Sequence, residues 1–383
     1  MRIPRGNKAA CGAVLALVAL GALASCAFPN GGGSGGVTLL YMTDTENGRV
    51  YTYDPVSHTS SSVSLLSVGQ PAAGAMAFFA GVGYVAVGNN FSGNQPGLYS
   101  FNPSATVPQA ARIGMNVSAQ YVDIYSSTKG YLAVADYPPT ASNSGLYTFD
   151  PSNPQGGLSG PIPGTSGLPS APGAPSSSTN IYPQDVVTGP DGRIYLADNN
   201  NQEVLQIDPT TDTVLRAFPT LAAGTTGLAA GYRNGDEGIF VANTGGYSGS
   251  APLPGSIDFI DVTTNTVSKV TSGLPEPGGP TQAIYPAHVA VVGTDAIAAT
   301  GSTRTLLVVP SSGATTELLS GSASVAGTDI AVAGGLIYVA EGDYSTKTSR
   351  LYVFDSAGNE EPWSPLVVMR SGEDLISNLA FYH

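Results

Sequence analysis

The sequence predicts an all-β fold: a seven-bladed β-propeller of four-stranded antiparallel blades. Three observations support this prediction. A short strand motif recurs about every 50 residues, no segment after residue 36 keeps a 3.6-residue apolar period, and the C-terminal end carries a strand that completes the first repeat. The 49 glycines and 29 prolines divide the chain into short strands and turns, as expected of such a ring.

The repeat is clearest between Gly192 and Val214. An apolar run is followed there by a polar turn, a second strand and a second turn that begins with Asp208 and Pro209. Runs of about five β-favouring residues separated by Asn, Asp, Pro and Gly predict antiparallel hairpins. The second strand occurs seven times, and its copies end at Asp54, Asn102, Asp150, Asp208, Asp261, Pro310 and Asp355. Their spacings of 48, 48, 58, 53, 49 and 45 residues are typical of propeller blades.

A small, apolar segment suited to the crowded axis of a ring precedes most hairpins. These inner segments are 75–78, 122–125, 185–187, 227–230, 288–291, 329–332 and 378–381. The first hairpin, which begins at Val37, has no such segment before it, and the last segment has no hairpin after it. We therefore expect the two ends to complete one blade together, which removes the open sheet edges. The propeller is predicted to span residues 37–383.

The first 36 residues predict export and anchoring. Residues 1–8 are basic and residues 9–24 are small and apolar, as in a signal peptide rather than a membrane-spanning helix, which needs about 20 apolar residues. The segment ends in Leu-Ala-Ser-Cys, which resembles the bacterial lipobox. The resemblance implies removal of residues 1–25, a lipid on Cys26, and a Gly-rich tether over residues 26–36.

The export signal predicts where the protein lies in the cell and which cysteine chemistry it lacks. We expect a lipoprotein of the bacterial cell envelope, whose lipid binds the membrane on the periplasmic side of the outer membrane or at the cell surface. The residue after Cys26 is Ala27 rather than Asp. By analogy with Gram-negative lipoproteins, this favours the outer membrane. The other cysteine, Cys11, leaves with the signal, so the propeller holds no disulfide and no thiolate metal site.

Charge and motifs exclude several classes of partner and chemistry. Charged residues make up 11% of the chain, and the net charge is −13, or −16 once Arg2, Arg5 and Lys8 are removed. Such a surface repels nucleic acid, so we expect no nucleic-acid partner, and it suits cations or a basic partner. The sequence contains neither a His-Glu-x-x-His zinc motif nor a phosphate-binding loop.

The stretch from Ile194 to Val214 resembles the YVTN-type and NHL-type propeller repeats. In these repeats a Tyr-Val-like strand, an Asn/Asp turn and a Val-x-Val-Ile-Asp-like strand follow one another. The resemblance covers residues 37–383 loosely, and the sixth unit departs from it, with Gly301 at the turn and Pro310 in place of Asp. It implies the propeller fold, but such repeats occur in binding scaffolds and in enzymes, so the function must be argued from the site.

Two insertions interrupt the regular spacing. The stretch Pro151–Asn180 is rich in Ser, Pro and Gly, and Gly245–Gly255 lies within the fifth hairpin. Both are too polar to form a core of their own. They are either tolerated surface loops or lid and partner-contact loops carried by the rigid ring.

Polar side chains are predicted to collect at one mouth of the central channel, because inner strands start on the face where the first hairpins turn. The inner strands are predicted to start at Ala75, Asp123, Asp185, Gly227, His288, Asp329 and Asn378, and the turns carry Asp44, Glu46, Asn89, Asp136, Asp198, Asn243, Glu341 and Asp343. The accompanying aromatic residues are Phe91, Tyr137, Tyr247 and Tyr344. The candidates for the ligand-binding face are Asp123, Asp185, Asp198, His288, Asp329, Glu341 and Asn378.

Three interpretations of these residues remain open. An Asp or Asn at a strand end can bond its own turn or the backbone of the next blade. Oxygen ligands that converge on an axis also suit Ca²⁺, with Asp185, Asp329 and Asn378 as the candidate set. Lactonase and gluconolactonase propellers hold a metal with Glu, Asn and Asp at the channel mouth, and the same three residues are their loose counterparts. No Glu opens an inner strand, which weighs against that chemistry.

His288 is the single histidine predicted near the axis, and one imidazole does not make a metal site. It resembles the histidine of streptogramin-lyase-type propellers in one position. As a general base it needs an acid partner and a pocket. The alternative is that His288 is a packed, hydrogen-bonded side chain.

The function expected from the sequence is binding or scaffolding. The complete ring, the tether and the acidic, Tyr-bearing face predict a lipoprotein that binds a protein, peptide or glycan, with no catalytic residues assigned. The alternative is a Ca²⁺-dependent lactonase-like or lyase-like enzyme.

Overall fold

In a computed structural model the described residues are 39–45, 47–61, 66–68, 73–88, 95–135, 143–165, 181–248, 251–253, 255–272, 286–293, 296–301, 304–320, 325–343, 345–369 and 375–382. The predicted signal peptide, Cys26 and the tether lie outside them. In this part of the chain, no helix is long and apolar enough to cross a membrane.

The fold is almost entirely β. The strands are β1 (Leu39–Asp44), β2 (Arg49–Asp54), β3 (Thr59–Ser60), β4 (Leu66–Ser67), β5 (Ala73–Phe79), β6 (Val82–Val87), β7 (Gly97–Phe101), β8 (Ala111–Ile113), β9 (Ala119–Ser126), β10 (Lys129–Val134), β11 (Gly145–Phe149), β12 (Leu158–Ser159), β13 (Pro183–Thr188), β14 (Ile194–Asp198), β15 (Glu203–Asp208), β16 (Thr213–Pro219), β17 (Thr225–Arg233), β18 (Asp236–Asn243), β19 (Gly246–Ser248), β20 (Ala251–Leu253), β21 (Ser256–Asp261), β22 (Thr266–Ser272), β23 (Pro286–Val292), β24 (Ala296–Gly301), β25 (Arg304–Val309), β26 (Ala314–Ser320), β27 (Val325–Ala333), β28 (Leu336–Asp343), β29 (Thr348–Asp355), β30 (Leu366–Met369) and β31 (Ile376–Tyr382). A 3-10 turn lies at Pro154–Gly156.

Seven antiparallel sheets form the blades. From the inner to the outer strand they are β31-β1-β2-β3 (blade 1), β5-β6-β7-β8 (blade 2), β9-β10-β11-β12 (blade 3), β13-β14-β15-β16 (blade 4), β17-β18-β21-β22 (blade 5), β23-β24-β25-β26 (blade 6) and β27-β28-β29-β30 (blade 7). In blade 1 a further short strand, β4, also pairs with β2. Each inner strand contacts the inner strands of the blades on either side, which closes the ring and confirms the predicted seven-bladed propeller.

Blade 1 joins the two ends of the chain, as the sequence predicts. The C-terminal strand β31 pairs with β1 from Leu39 opposite Tyr382 to Thr43 opposite Asn378. Apolar side chains of β31, including Ile376 and Leu379, pack in one buried cluster with side chains of β1, β2, β28 and β29. Six further clusters of this kind fill the ring. The core therefore lies mainly between successive blades, and each blade depends on its neighbours.

The repeated Asp-Pro signal marks the turn between the third and fourth strands. In six blades the side-chain oxygen of the turn residue accepts the backbone N–H two residues later, and these residues are Asp54, Asn102, Asp150, Asp208, Asp261 and Asp355. Bonding of this kind favours Asp and Asn at the first position of a tight turn. The motif by which the repeat is recognised is thus a turn cap.

Both predicted insertions contain β-strands in the residues that are described. Within 151–180, Leu158–Ser159 forms the outer strand β12 and Ile162 is buried in the core, while residues 166–180 lie outside the described part. The whole stretch was expected to be a loop, either a tolerated surface loop or a lid or partner-contact loop, but β12 is the fourth strand of blade 3. In the insertion 245–255, β19 and β20 pair as a small additional hairpin.

Candidate functional site

Each inner strand carries a register irregularity near the predicted channel mouth. The irregularity shifts the pairing with the second strand in all seven blades. Bulges of this kind redirect side chains and are frequent beside binding sites. The residues that follow it, in blade order, are Asn378, Ala75, Tyr121, Asp185, Gly227, His288 and Asp329.

Three of these side chains bond the neighbouring blade. Oδ2 of Asp185 accepts the N–H of Leu228 at 2.7 Å, across the boundary between blades 4 and 5. Oδ2 of Asp329 accepts the N–H of Leu379 at 2.7 Å, between blades 7 and 1. In the same way, Oδ1 of Asn378 accepts an N–H from blade 2, that of Met76, at 3.2 Å. All three are at most 4% exposed.

Blade 3 differs from the sequence-based placement. Asp123 was expected to open its inner strand, but it lies two residues further along β9, opposite Tyr131. The pairing of β9 with β10 places Tyr121, opposite Ala133, in the first position instead. Asp123 also bonds the next blade, since the hydroxyl of Thr188 donates to its Oδ2 at 2.7 Å. These bonds support the structural interpretation of the channel acids without testing whether they also bind a ligand.

Blades 5 and 6 contribute Gly227 and His288 at the same level of the channel. His288 lies beside Asp329, with 3.4 Å between Nδ1 and Oδ1, and its side chain is 32% exposed. The corresponding residue of blade 5 is Gly227, where a Cβ atom would lie 2.5 Å from the carbonyl oxygen of Ala287. A side chain at that position would displace the backbone of the next blade.

A central cavity of about 450 Å³ lies among the inner strands. Its walls are apolar and come from all seven blades, with alanines such as Ala229 and Ala331 among them. The polar residues that line it are Tyr121, Asp123 and Asp185. This size and this ratio of apolar to polar wall are typical of a small-ligand or side-chain pocket.

The channel acids are held in an unfavourable electrostatic environment. Burial raises the pKa of Asp185 well above its ordinary range, and the charges of Asp123 and Asp329 raise it further. Burial likewise raises the pKa values of Asp123 and Asp329, although nearby His288 partly opposes the rise for Asp329. The pKa of Tyr121 is raised well above its usual value, first by burial and then by the three carboxyl groups. A cationic group that enters the channel would relieve this repulsion.

The candidate residues at the hairpin turns mainly cap those turns, as far as their side chains are described. Asp198 is fully buried, and it accepts the N–H groups of Tyr182 at 2.8 Å and Asn200 at 3.1 Å. Glu341 lies 3.4 Å from Arg350 on the next strand, and burial raises its pKa. Other members of the predicted set lie outside the residues whose side chains are described: Glu46, Asn89, Phe91, Asp136, Tyr137, Tyr247 and Tyr344.

The predicted calcium set spans the channel, because Asp185 belongs to blade 4 whereas Asp329 and Asn378 belong to blades 7 and 1. Each of the three already uses an oxygen for the backbone of the next blade. Among the described residues, no three His, Cys, Asp or Glu side chains form a group able to hold a metal ion. That group excludes asparagine, so calcium at this set, which includes Asn378, stays a prediction.

Three notable residues escaped sequence reasoning. Tyr121 takes the first position of its inner strand through the register of β9 with β10, which has no simple sequence signature. Glu203 and Asp258 are acids within the third strands of their blades, and both are buried, at 3% and 0% exposure. An acid within a largely apolar strand is the one sequence signal that could have pointed to them, and it does not reveal burial. Asp258 accepts bonds from Leu221 N–H and Asn243 Nδ2, which account for its burial.

Comparison with known families supports the repeat assignment. The family model named NHL repeat matches residues 181–207, the hairpin on which the sequence-based resemblance rests. The matched segment runs from the end of a linker through the first three strands of blade 4. The chain is a seven-bladed β-propeller whose fourth blade matches the NHL repeat.

Solved structures share this propeller fold at low sequence identity. A candidate 6-phosphogluconolactonase from Bacteroides fragilis aligns with a TM-score of 0.62 and 12% identity, over 91% of this chain and 98% of the other. A quinonprotein alcohol dehydrogenase-like protein from Bacteroides thetaiotaomicron gives 0.59 and 14%, over 90% and 78%. Virginiamycin B lyase from Staphylococcus aureus gives 0.53 and 12%, over 78% and 84%. A search of curated proteins finds no match. At these identities the likeness establishes the propeller fold and no activity.

Proposed function

We propose that this propeller is a binding or scaffolding protein of the bacterial envelope, anchored by a lipid on Cys26. Its ligand is a protein, peptide or glycan that binds the channel mouth and places a positively charged group in the channel. The observation that carries the proposal is the apolar cavity of about 450 Å³ with its carboxyl groups. The net charge of −13 favours the approach of a basic partner.

The contacts of the channel residues favour binding over catalysis. The carboxyl groups of Asp185 and Asp329 bond to the backbone of neighbouring blades, so they are held rigidly. A rigid carboxyl group in a desolvated wall suits the recognition of an ammonium or guanidinium group, because no side-chain ordering is required on binding.

Filling the channel is expected to weaken binding by at least about tenfold, because the ligand must enter the cavity. The variant is Ala229→Leu, on the channel wall, and the probe is a fluorescent penta-lysine peptide followed by anisotropy. A penta-glutamate peptide should not bind, and binding of penta-lysine should weaken as salt is added.

The matched control is Ala357→Leu, which adds the same side chain at an exposed turn of blade 7. It should bind penta-lysine like the unaltered protein. Equal binding by both variants would place the peptide on the outer acidic surface and would reject the channel as the site. In cells, a photo-cross-linking residue at Ala380, on the channel wall, should give an adduct that Ala229→Leu abolishes.

A second candidate function rests on His288. Its Nδ1 lies 3.4 Å from Asp329, so the acid partner that a general base requires is present. This arrangement is the one observation that favours a lactonase-like or lyase-like enzyme. Turnover of a lactone or of a streptogramin by the protein, lost in His288→Ala, would favour this candidate over binding.

A further inference from the structure

One oxygen of a buried acid outside the channel has no hydrogen-bond partner among the described residues. Glu203 begins β15, the third strand of blade 4, and is 3% exposed. Its Oε2 is buried and, in the described part of the chain, meets no donor or acceptor. Directly opposite on β14 lies Asp198, which is fully buried. An ionised carboxylate in this position is strongly unfavourable, so the side chain must take a proton or a cation.

The surroundings favour a proton over a cation. The oxygens of Asp198 are covered by donors, namely the N–H groups of Tyr182 and Asn200 and the side-chain amide of Asn201 at 2.5 Å. Burial raises the pKa of Asp198, and these donors oppose that rise by stabilising its charge. The same donors would repel a metal ion.

No basic residue faces Glu203 from the elements beside it. Its partner on β16 is Pro219, and the turn 199–202 and the linker 220–224 carry no charged residue. Arg216 also lies on β16, but it is opposite Gln206 rather than Glu203. Two further titratable groups close to these elements are Tyr182, before β13, and Asp258 in blade 5, which accepts the N–H of Leu221 at 2.7 Å. Neither supplies a positive charge at neutral pH.

The turn next to Glu203 ties two inner strands together. The N–H of Asn199 donates to the carbonyl of Tyr182 at 3.1 Å, just before the strand that carries Asp185. The side-chain amide of Asn199 donates to the carbonyl of Thr225 at 3.2 Å, at the start of β17. The turn therefore spans the boundary between blades 4 and 5, where the bond from Leu228 to Asp185 also lies.

We propose that Glu203 is a proton-operated latch. With the proton in place, the turn 198–203 holds the starts of β13 and β17 together. Loss of the proton sets two buried carboxylates against each other, which loosens the turn and this side of the channel mouth. The inference concerns the propeller itself and does not depend on which ligand binds.

The direction of the pH effect follows from the two states of Glu203. Burial, and then the charge of Asp198, raise the pKa of Glu203 from 4.5 to about 7. Between pH 4.5 and about pH 7, Glu203 keeps its proton in the closed turn and releases it in the opened turn. The closed turn therefore becomes less stable as the pH rises. Above about pH 7 both states are ionised and the dependence ends.

Hydrogen exchange of three backbone amides tests the latch: those of Tyr182, Asn199 and Thr220, which are bonded within or beside the turn. After correction for intrinsic exchange, opening is expected to increase by up to about tenfold per pH unit between pH 5 and 7. The increase should be absent in Glu203→Gln, which mimics the protonated form. Amides of Asp355 and Gly358, bonded within a turn of blade 7, should not follow it.

Two controls make the result decisive. Glu360→Gln removes an exposed acid and should leave the pH dependence intact. Asp198→Asn should move the pH range of this dependence to lower pH, because one cause of the raised pKa of Glu203 is removed. This variant also provides the test if Glu203→Gln does not fold. The latch is rejected if Glu203→Gln keeps the full pH dependence or Asp198→Asn leaves that pH range in place. It is also rejected if millimolar Ca²⁺ at pH 8 restores protection only when Glu203 is present, which would identify a cation site.

Discussion

Removal of residues 375–383 is expected to abolish cooperative unfolding. The deletion takes away β31, the inner strand of blade 1, and leaves β1 with an unpaired edge. It also removes Ile376 and Leu379 from the core, each of which contributes about 1.5–3 kcal/mol by burial. Because blade 1 is the contact between blades 7 and 2, the loss approaches the total stability of about 5–15 kcal/mol that is usual for a domain. Thermal denaturation followed by circular dichroism should show no sharp transition, and the protein should aggregate.

A circular permutant provides the matched control. Tyr382 pairs with Leu39, so a turn of about four residues can join the end of β31 to the start of β1. The permutant runs from the tether through residues 375–382 and this turn to residues 39–369. It contains every strand of the ring and should unfold in one transition near that of the unaltered protein. A truncated chain with that same transition would show that ring closure is not needed for the fold.

Replacement of Asp185 should separate its structural role from its charge. In Asp185→Ala the N–H groups of Leu228 and Val186 lose their acceptor. Leaving a buried donor unsatisfied costs about 1–3 kcal/mol, so the midpoint of chemical denaturation should fall clearly. Asp185→Asn keeps an acceptor and removes the charge, as Asn378 does naturally in blade 1. Its amide nitrogen cannot accept the second N–H group, so Asp185→Asn should lie between Asp185→Ala and the unaltered protein in stability at neutral pH.

The pH dependence of this pair of variants has a definite sign. Burial raises the pKa of Asp185 well above 3.8, so the unfolded chain ionises first as pH rises. Stability contributed by the protonated group is complete below about pH 3.8 and is lost as pH rises toward the folded pKa. The stability of the unaltered protein relative to Asp185→Asn should therefore decline as pH rises from 4 toward neutrality. A difference that grows in the opposite direction would mean that the backbone bonds outweigh burial and lower the pKa.

The architecture was accessible from the sequence because each blade repeats the same local signals. Strand runs, Asp-Pro turns and small inner segments recur at a spacing near 50 residues, and local turn chemistry decides each of them. The closure of blade 1 followed from matching an inner segment without a hairpin to a hairpin without an inner segment. The interpretation of Asp198 as a turn cap could also be stated in advance, since an Asp after a strand bonds the turn that it begins.

The composition of the channel was only partly accessible. Asp185, Asp329 and Asn378 lie where the sequence places them, at the start of inner strands, yet their partners belong to other blades. Asp123 lies further along its strand than expected, and Tyr121 takes its place, because the pairing of β9 with β10 decides which residue comes first and residue type does not reveal that register. Glu203 was overlooked because it resembles any other strand residue until its burial is known.

By itself, the sequence determined the repeat, the number of blades and the pairing of the chain ends, because these depend on local propensity and on counting strands. Only the tertiary structure decided which side chains share the channel, which carboxyl oxygens bond the next blade, and that Glu203 faces Asp198 with an oxygen left unpaired. Those features arise from contacts between residues far apart in the chain and from the loss of water around them. Desolvation depends on all neighbouring elements at once, and no short stretch of sequence specifies it.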